Sequence, residues 1–103
     1  MFLHKNLLLF IAFLLGVSLH AQYKIKGKIL DENKLPIAQA MVKSVSTGES
    51  TLTDDKGNYI LSTSDEHPSL QVSKEGYAPL EFPVILQNNE NRVTYVETIL
   101  RRG

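Results

Sequence analysis

Residues 51–61, TLTDDKGNYIL, set two carboxylates, Asp54 and Asp55, beside a lysine and a glycine at the mouth of an apolar run. Three kinds of chemistry use such residues. A calcium loop needs oxygen ligands at alternate positions before its glycine and a bidentate acid after it. Counting back from Gly57, the alternate positions hold Asp55 and Thr53, Lys56 directly precedes the glycine, and no Glu follows until Glu66. An acid/base pair must converge on one substrate across about 5–10 Å, with burial to tune it. Adjacent carboxylates on extended backbone face opposite ways instead. A hairpin turn, by contrast, uses every residue. Asp side chains accept backbone N–H groups just ahead of them, Gly57 supplies a positive φ without steric cost, and Tyr59 and Leu61 then point inward. The segment reads as a turn.

The remaining candidates are few. His67 is the one histidine beyond the first 21 residues, and the chain has no cysteine. A zinc site takes three or four suitable ligands, so a zinc peptidase centre is not expected. Ser64, Asp65 and His67 supply the residue types of a hydrolytic triad, yet nothing in the sequence places an oxyanion hole beside them. Arg92, Arg101 and Arg102 read as solvated charges. Tyr23, Tyr59, Tyr77 and Tyr95 would stack on sugars if two were exposed together, but Tyr23, Tyr59 and Tyr95 fall on apolar parity and read as core or half-buried. No catalytic, cofactor-binding or metal residue is assigned, no cofactor is expected, and the chain is not read as an enzyme.

The elements that carry these residues follow a period of two. In YKIKGKIL, Tyr23, Ile25, Gly27 and Ile29 share one face and Lys24, Lys26 and Lys28 the other. Lysines discourage unwanted edge pairing. A turn, DENKLP, leads to AQAMVKSV, with Ala40 and Val42 inward. After STGES come a short strand at 51–53 and the strand NYILST. The loop SDEHPS precedes LQVSKEGY, with Leu70 and Val72 inward and Gly76 as its break. In APLEFPVIL, Ala78, Leu80, Phe82, Val84 and Leu86 alternate with Pro79, Glu81, Pro83 and Ile85. Pro79 and Pro83 both lack donors on one flank, so this sixth strand is expected to be an edge with that flank outward, or to have its pairing broken there. A polar turn, QNNEN, leads to RVTYVETIL. Seven short strands with regular turn signals predict an all-β, seven-stranded antiparallel Greek-key β-sandwich.

The ends and the charge bound the setting. Residues 1–21 pair a short basic start, Lys5, with the apolar run 7–17 and a small residue, Ala21. This is the pattern of a secretory signal peptide, shorter than the ~20 apolar residues of a membrane span. The sandwich domain is then 22–103, with no stable membrane span after cleavage and a periplasmic, outer-membrane or cell-surface location expected. Of 11 Lys+Arg and 11 Asp+Glu, only Lys5 lies in the first 21 residues, leaving a net charge of about −1 beyond them. That balance does not favour nucleic acid or an anionic membrane. A domain of this size buries only about 60–65% of its unfolded surface, and it has no disulfide to help.

IKGKILDENKLPIAQAMV, TGESTLTDDKGNYIL and LQVSKEGYAPLEF occur in that order. Together they resemble the carboxypeptidase regulatory-like domain, a transthyretin-like sandwich. That family runs G-x-V, D-x-x-G-x-P-L, A-x-V, T-D-x-x-G-x-[FY], V-S-x-x-G-[YF]; here these are 27–29, 31–36, 40–42, 53–59 and 72–77. Lys34 and Gln39 stand where the family usually has glycine, which puts the local geometry there in question. The related hydroxyisourate hydrolases use several histidines and end Y-R-G-S; this chain has one beyond residue 21 and ends LRRG. The HAQ at 20–22 is similar to exported proteins of Bacteroidetes-type bacteria. The resemblance implies a non-catalytic module of the bacterial envelope that docks or scaffolds another protein, such as an outer-membrane TonB-dependent receptor, a peptidase or a periplasmic protein. The sixth or first strand would offer an edge for strand addition. A small carbohydrate-binding domain is the alternative, with a glycan as its partner.

Overall fold

In the strand Tyr23–Leu30 (β1) the isoleucines alternate with lysines, and burial follows: Ile25 and Ile29 are fully enclosed while Lys24 and Lys28 are exposed. The structure is a computed structural model that describes residues 22–87 and 91–103. The signal-peptide reading of 1–21 and the middle of the turn at 87–91 lie outside the described residues. Six further strands follow: β2 (Met41–Ser44), β3 (Ser50–Leu52), β4 (Asn58–Thr63), β5 (Ser69–Ser73), β6 (Leu80–Pro83) and β7 (Val93–Ile99). They form a three-stranded sheet, β4-β1-β7, and a four-stranded sheet, β3-β2-β5-β6. The hairpins β2–β3 and β5–β6 stay within one sheet; every other connection crosses between sheets, as a Greek-key sandwich requires.

Two features depart from the sequence expectation. The ladder between β1 and β7 is parallel, while all the others are antiparallel. With β4 on its other side, β1 is the central strand of its sheet and not an edge. Its lysines therefore do not guard an edge. β6 is an edge, as its prolines require. The N–H of Val84 donates to Pro68 O at 2.9 Å, so even positions face β5 and the Pro79/Pro83 flank faces outward.

The inner faces meet in one core of Ile25, Ile29, Ile37, Ala40, Val42, Tyr59, Leu61, Leu70, Val72, Val84 and Leu100, with Phe82, Leu86 and Val96 packed against it. Burial of such side chains, at roughly 1.5–3 kcal/mol each for the larger ones, stands in for the absent disulfides. Gly27 lies opposite Tyr59 on the inner face, and a Cβ at Gly27 would fall inside the Tyr59 ring. The glycine thus makes room for the largest side chain of the core. Residues following β7 return to the β5–β6 loop: the Ala78 N–H donates to Arg101 O at 2.8 Å, and Arg102 forms a bridge with Tyr77.

Candidate functional site

Of the two acids of TDDKG, Asp54 builds the turn and Asp55 is exposed on it. Asp54 Oδ1 accepts the N–H groups of Lys56 and Asn58, each at 2.9 Å. The backbone closes around it, with Asp54 N–H to Asn58 O and Gly57 N–H to Asp54 O, both 2.9 Å. The neighbouring Thr53 is a buried clamp. Its Oγ1 donates to Ile37 O at 2.6 Å and accepts the Ala40 N–H at 2.9 Å, tying the β1–β2 loop to the end of β3. The turn is not the hairpin expected from the sequence, because β3 and β4 lie in different sheets and it carries the chain from one to the other. A carboxylate engaged there by two backbone donors and exposed has neither the burial nor the convergence that acid/base chemistry needs.

The residues of the paper triad have other partners. Asp65 Oδ1 accepts the backbone N–H of His67 at 2.9 Å, and Oδ2 accepts the hydroxyl of Ser46. These bonds hold the Asp65 carboxyl below the usual range, the Ser46 hydroxyl contributing most. His67 is exposed, and the Ser46 hydroxyl, from the β2–β3 turn, bonds Asp65 where a triad would place the imidazole. The result is a latch between two loops. Among the described residues no group of three or more His, Asp or Glu side chains gathers that could hold a metal ion.

The tyrosines separate by environment. Tyr59 is buried, its hydroxyl lacks a partner among the described residues, and burial raises its pKa to about 12. Tyr77 is half-buried, and so is Tyr23, with the Arg92 guanidinium 5.6 Å from its ring centre. Tyr95 is 72% exposed, contrary to the inward side expected for it. Thr94, Val96 and Thr98 take the inward positions of β7 instead, with Leu100 buried just past its end, and Thr94 Oγ1 accepts the Gln87 N–H at 2.9 Å. Two coplanar exposed tyrosines, the platform a sugar would need, are not formed by this set.

The outer face of the three-stranded sheet is the most distinctive surface. Register aligns Ile60, Lys26 and Tyr95 in one row, Asn58, Lys28 and Glu97 in the next, and Ser62, Lys24 and Val93 in a third. Three lysines run down the middle, with Glu97 as the one carboxylate of these rows. Ile60 is 57% exposed. A shallow groove of about 490 Å³ runs over this face, lined by Lys26, Lys28, Ile60 and Tyr95. The lysine stripe was legible from alternation; the flanking Ile60 and Tyr95 were not, because strand order and register decide which residues flank it.

These elements define a seven-stranded, two-sheet β-sandwich of the transthyretin-like kind. The chain belongs to the CarboxypepD_reg-like domain family, whose model matches residues 25–99. It is 38% identical over 92 residues to the TonB-dependent receptor SusC of Bacteroides thetaiotaomicron, a match covering 85% of this chain and 9% of that receptor. Among solved structures, the fold is similar to a chain of a type II cohesin–X-dockerin complex of Acetivibrio cellulolyticus. The TM-score there is 0.62 at 15% identity, over 76% of this chain and 56% of that one. It is also similar to 3-chlorocatechol 1,2-dioxygenase of Rhodococcus opacus 1CP, with a TM-score of 0.61 at 13% identity, over 82% of this chain and 60% of that one. These two likenesses concern the fold alone. Among the described residues no helix is long and apolar enough to cross a membrane.

Proposed function

We propose that this chain is an exported, non-catalytic docking module of the bacterial envelope, acting on an outer-membrane receptor or a periplasmic protein. The carrying observation is its 38% identity, over most of its length, to a segment of a TonB-dependent receptor. The site chemistry supports it. Asp54 and Asp65 are engaged in a turn and a loop latch, while a lysine stripe flanked by Tyr95 and Ile60 remains on the surface. A docking surface needs such exposed apolar and charged groups and no pocket.

The test is crosslinking of the purified chain in an envelope extract, followed by mass spectrometry of the crosslinked peptides. Reproducible crosslinks to one outer-membrane or periplasmic protein are expected. A folded chain that crosslinks to nothing in that extract overturns the reading.

A further inference from the structure

The sandwich has four sheet edges, and they differ in what they offer an added strand. β6 turns Pro79 and Pro83 outward, and proline has no N–H to offer a new strand. β3 is three residues long. On β4, the N–H and carbonyl of Asn58 are already taken by Asp54, which leaves Ile60 and Ser62 as its outward backbone positions, and β3 packs beside it. β7 differs. It is seven residues long, contains no proline and no lysine, and ends its sheet. Its even positions face β1, since the Leu100 N–H donates to Leu30 O at 2.9 Å and Lys24 N–H to Arg92 O at 2.9 Å. The backbone groups of Tyr95, Glu97 and Ile99 therefore point away from the sheet, and their side chains lie on its outer face.

A strand added there contributes one residue to each row of that face. Glu97 already stands opposite Lys28. Lys26 and Lys24 face Tyr95 and Val93 in their rows, which hold no carboxylate among the described residues. The added strand lies two inter-strand steps from β1, roughly 10 Å, a gap that a lysine stem and a glutamate reaching toward each other can bridge. Lysines on a central strand serve no edge-guarding purpose, and here they stand beside β7, the longer of the two edges of their sheet.

Resting on the docking reading above, we infer that β7 is the docking edge, and that its partner is an extended protein segment carrying carboxylates at alternate positions. Main-chain bonds to Tyr95, Glu97 and Ile99 supply the attachment; Lys24 and Lys26 select the charge.

Two synthetic peptides test this against the whole chain: alternating threonine and glutamate, and alternating threonine and lysine. Amide-resolved hydrogen exchange is the readout. At low salt the glutamate peptide slows exchange at Tyr95, Glu97 and Ile99 by about tenfold or more, and the lysine peptide does not. Lys24→Glu with Lys26→Glu reverses that preference. Glu97→Pro abolishes the protection while the amides of β1 stay protected, since its N–H bonds nothing within the sheet. Protection by neither peptide, or at another edge, overturns the inference. Equal protection by both removes the lysines' role and overturns the partner's chemistry. Protection that grows with protein concentration alone assigns the edge to a second copy and also overturns it. An envelope protein whose crosslinks map away from β7 leaves the docking reading standing and removes this one.

Discussion

Lys34 and Gly57 occupy the same seat in two turns built alike. In the first, Asp31 Oδ1 accepts the N–H groups of Asn33 and Leu35 at 2.8 and 2.9 Å, with Asp31 N–H to Leu35 O and Lys34 N–H to Asp31 O. In the second, Asp54 makes the same four bonds to its own turn. The residue three past the aspartate is left-handed in both, with φ of 64° at Lys34 and 76° at Gly57. Gln39, the other departure from the family pattern, is left-handed too, at 59°. The glycine geometry is thus kept where the glycine is not.

The two positions should respond oppositely to substitution. Lys34 is exposed and carries the cost of a left-handed conformation that glycine adopts freely; Lys34→Gly should raise stability by about 1 kcal/mol. A Cβ at Gly57 meets Ile29 O at 2.5 Å, so Gly57→Ala adds a backbone clash to the strain and should cost about 2–3 kcal/mol. Urea unfolding of the two variants, compared at equal slope, measures both.

Tyr59 and Gly27 form a second coupled pair. Removing the unpartnered hydroxyl with Tyr59→Phe should gain about 1 kcal/mol at neutral pH. The gain should widen with alkali. The folded tyrosine ionises only at about 12, whereas the unfolded one ionises near ~10. Folded protein therefore binds the extra proton in between, and stability is intact below ~10 and lost as pH rises toward the folded value. The Phe variant escapes this loss of about 2–3 kcal/mol. Gly27→Ala should instead displace the ring and cost about 2 kcal/mol. Unfolding curves from neutral pH to the alkaline limit compare all three proteins.

Legibility in the sequence followed how local each constraint is. β1 and β4 match their expected limits because alternation continues across their whole lengths. Pro79 and Pro83 revealed their outward flank because a missing donor is covalent and independent of neighbours. The rank of β1 within its sheet was not legible, since its parallel pairing with β7 joins residues about seventy positions apart. Tyr95 was assigned to the wrong side because both parities of RVTYVETIL hold β-branched or apolar residues. The side was decided by Thr94 and Thr98, whose small side chains fit the inward positions. The outer-face surface depends on three strands in register, so the lysines were visible and their neighbours were not.

The latch at Asp65 predicts a response to acid. Its carboxyl is held below its usual pKa, chiefly by the Ser46 hydroxyl. A group depressed in the folded state stabilises above its unfolded value, near ~3.9, and loses that contribution as pH falls through its lower folded value. Asp65→Asn should therefore flatten the acid limb of the stability curve and loosen the β2–β3 turn. Thermal unfolding across that range, with amide exchange at Glu49 and His67, separates the two effects.

The prolines of β6 predict what an unguarded edge would do. Pro79→Val with Pro83→Val restores two outward N–H donors beside the exposed Glu81 and Ile85. The ladder to β5 is untouched, because it uses the even positions. The double variant should keep its fold and self-associate with rising concentration, read by sedimentation. A variant that stays monomeric would show that its short length, four residues, already closes this edge without help from proline. The contrast with β7 would then rest on length rather than on donors, since β7 offers seven residues and β6 four.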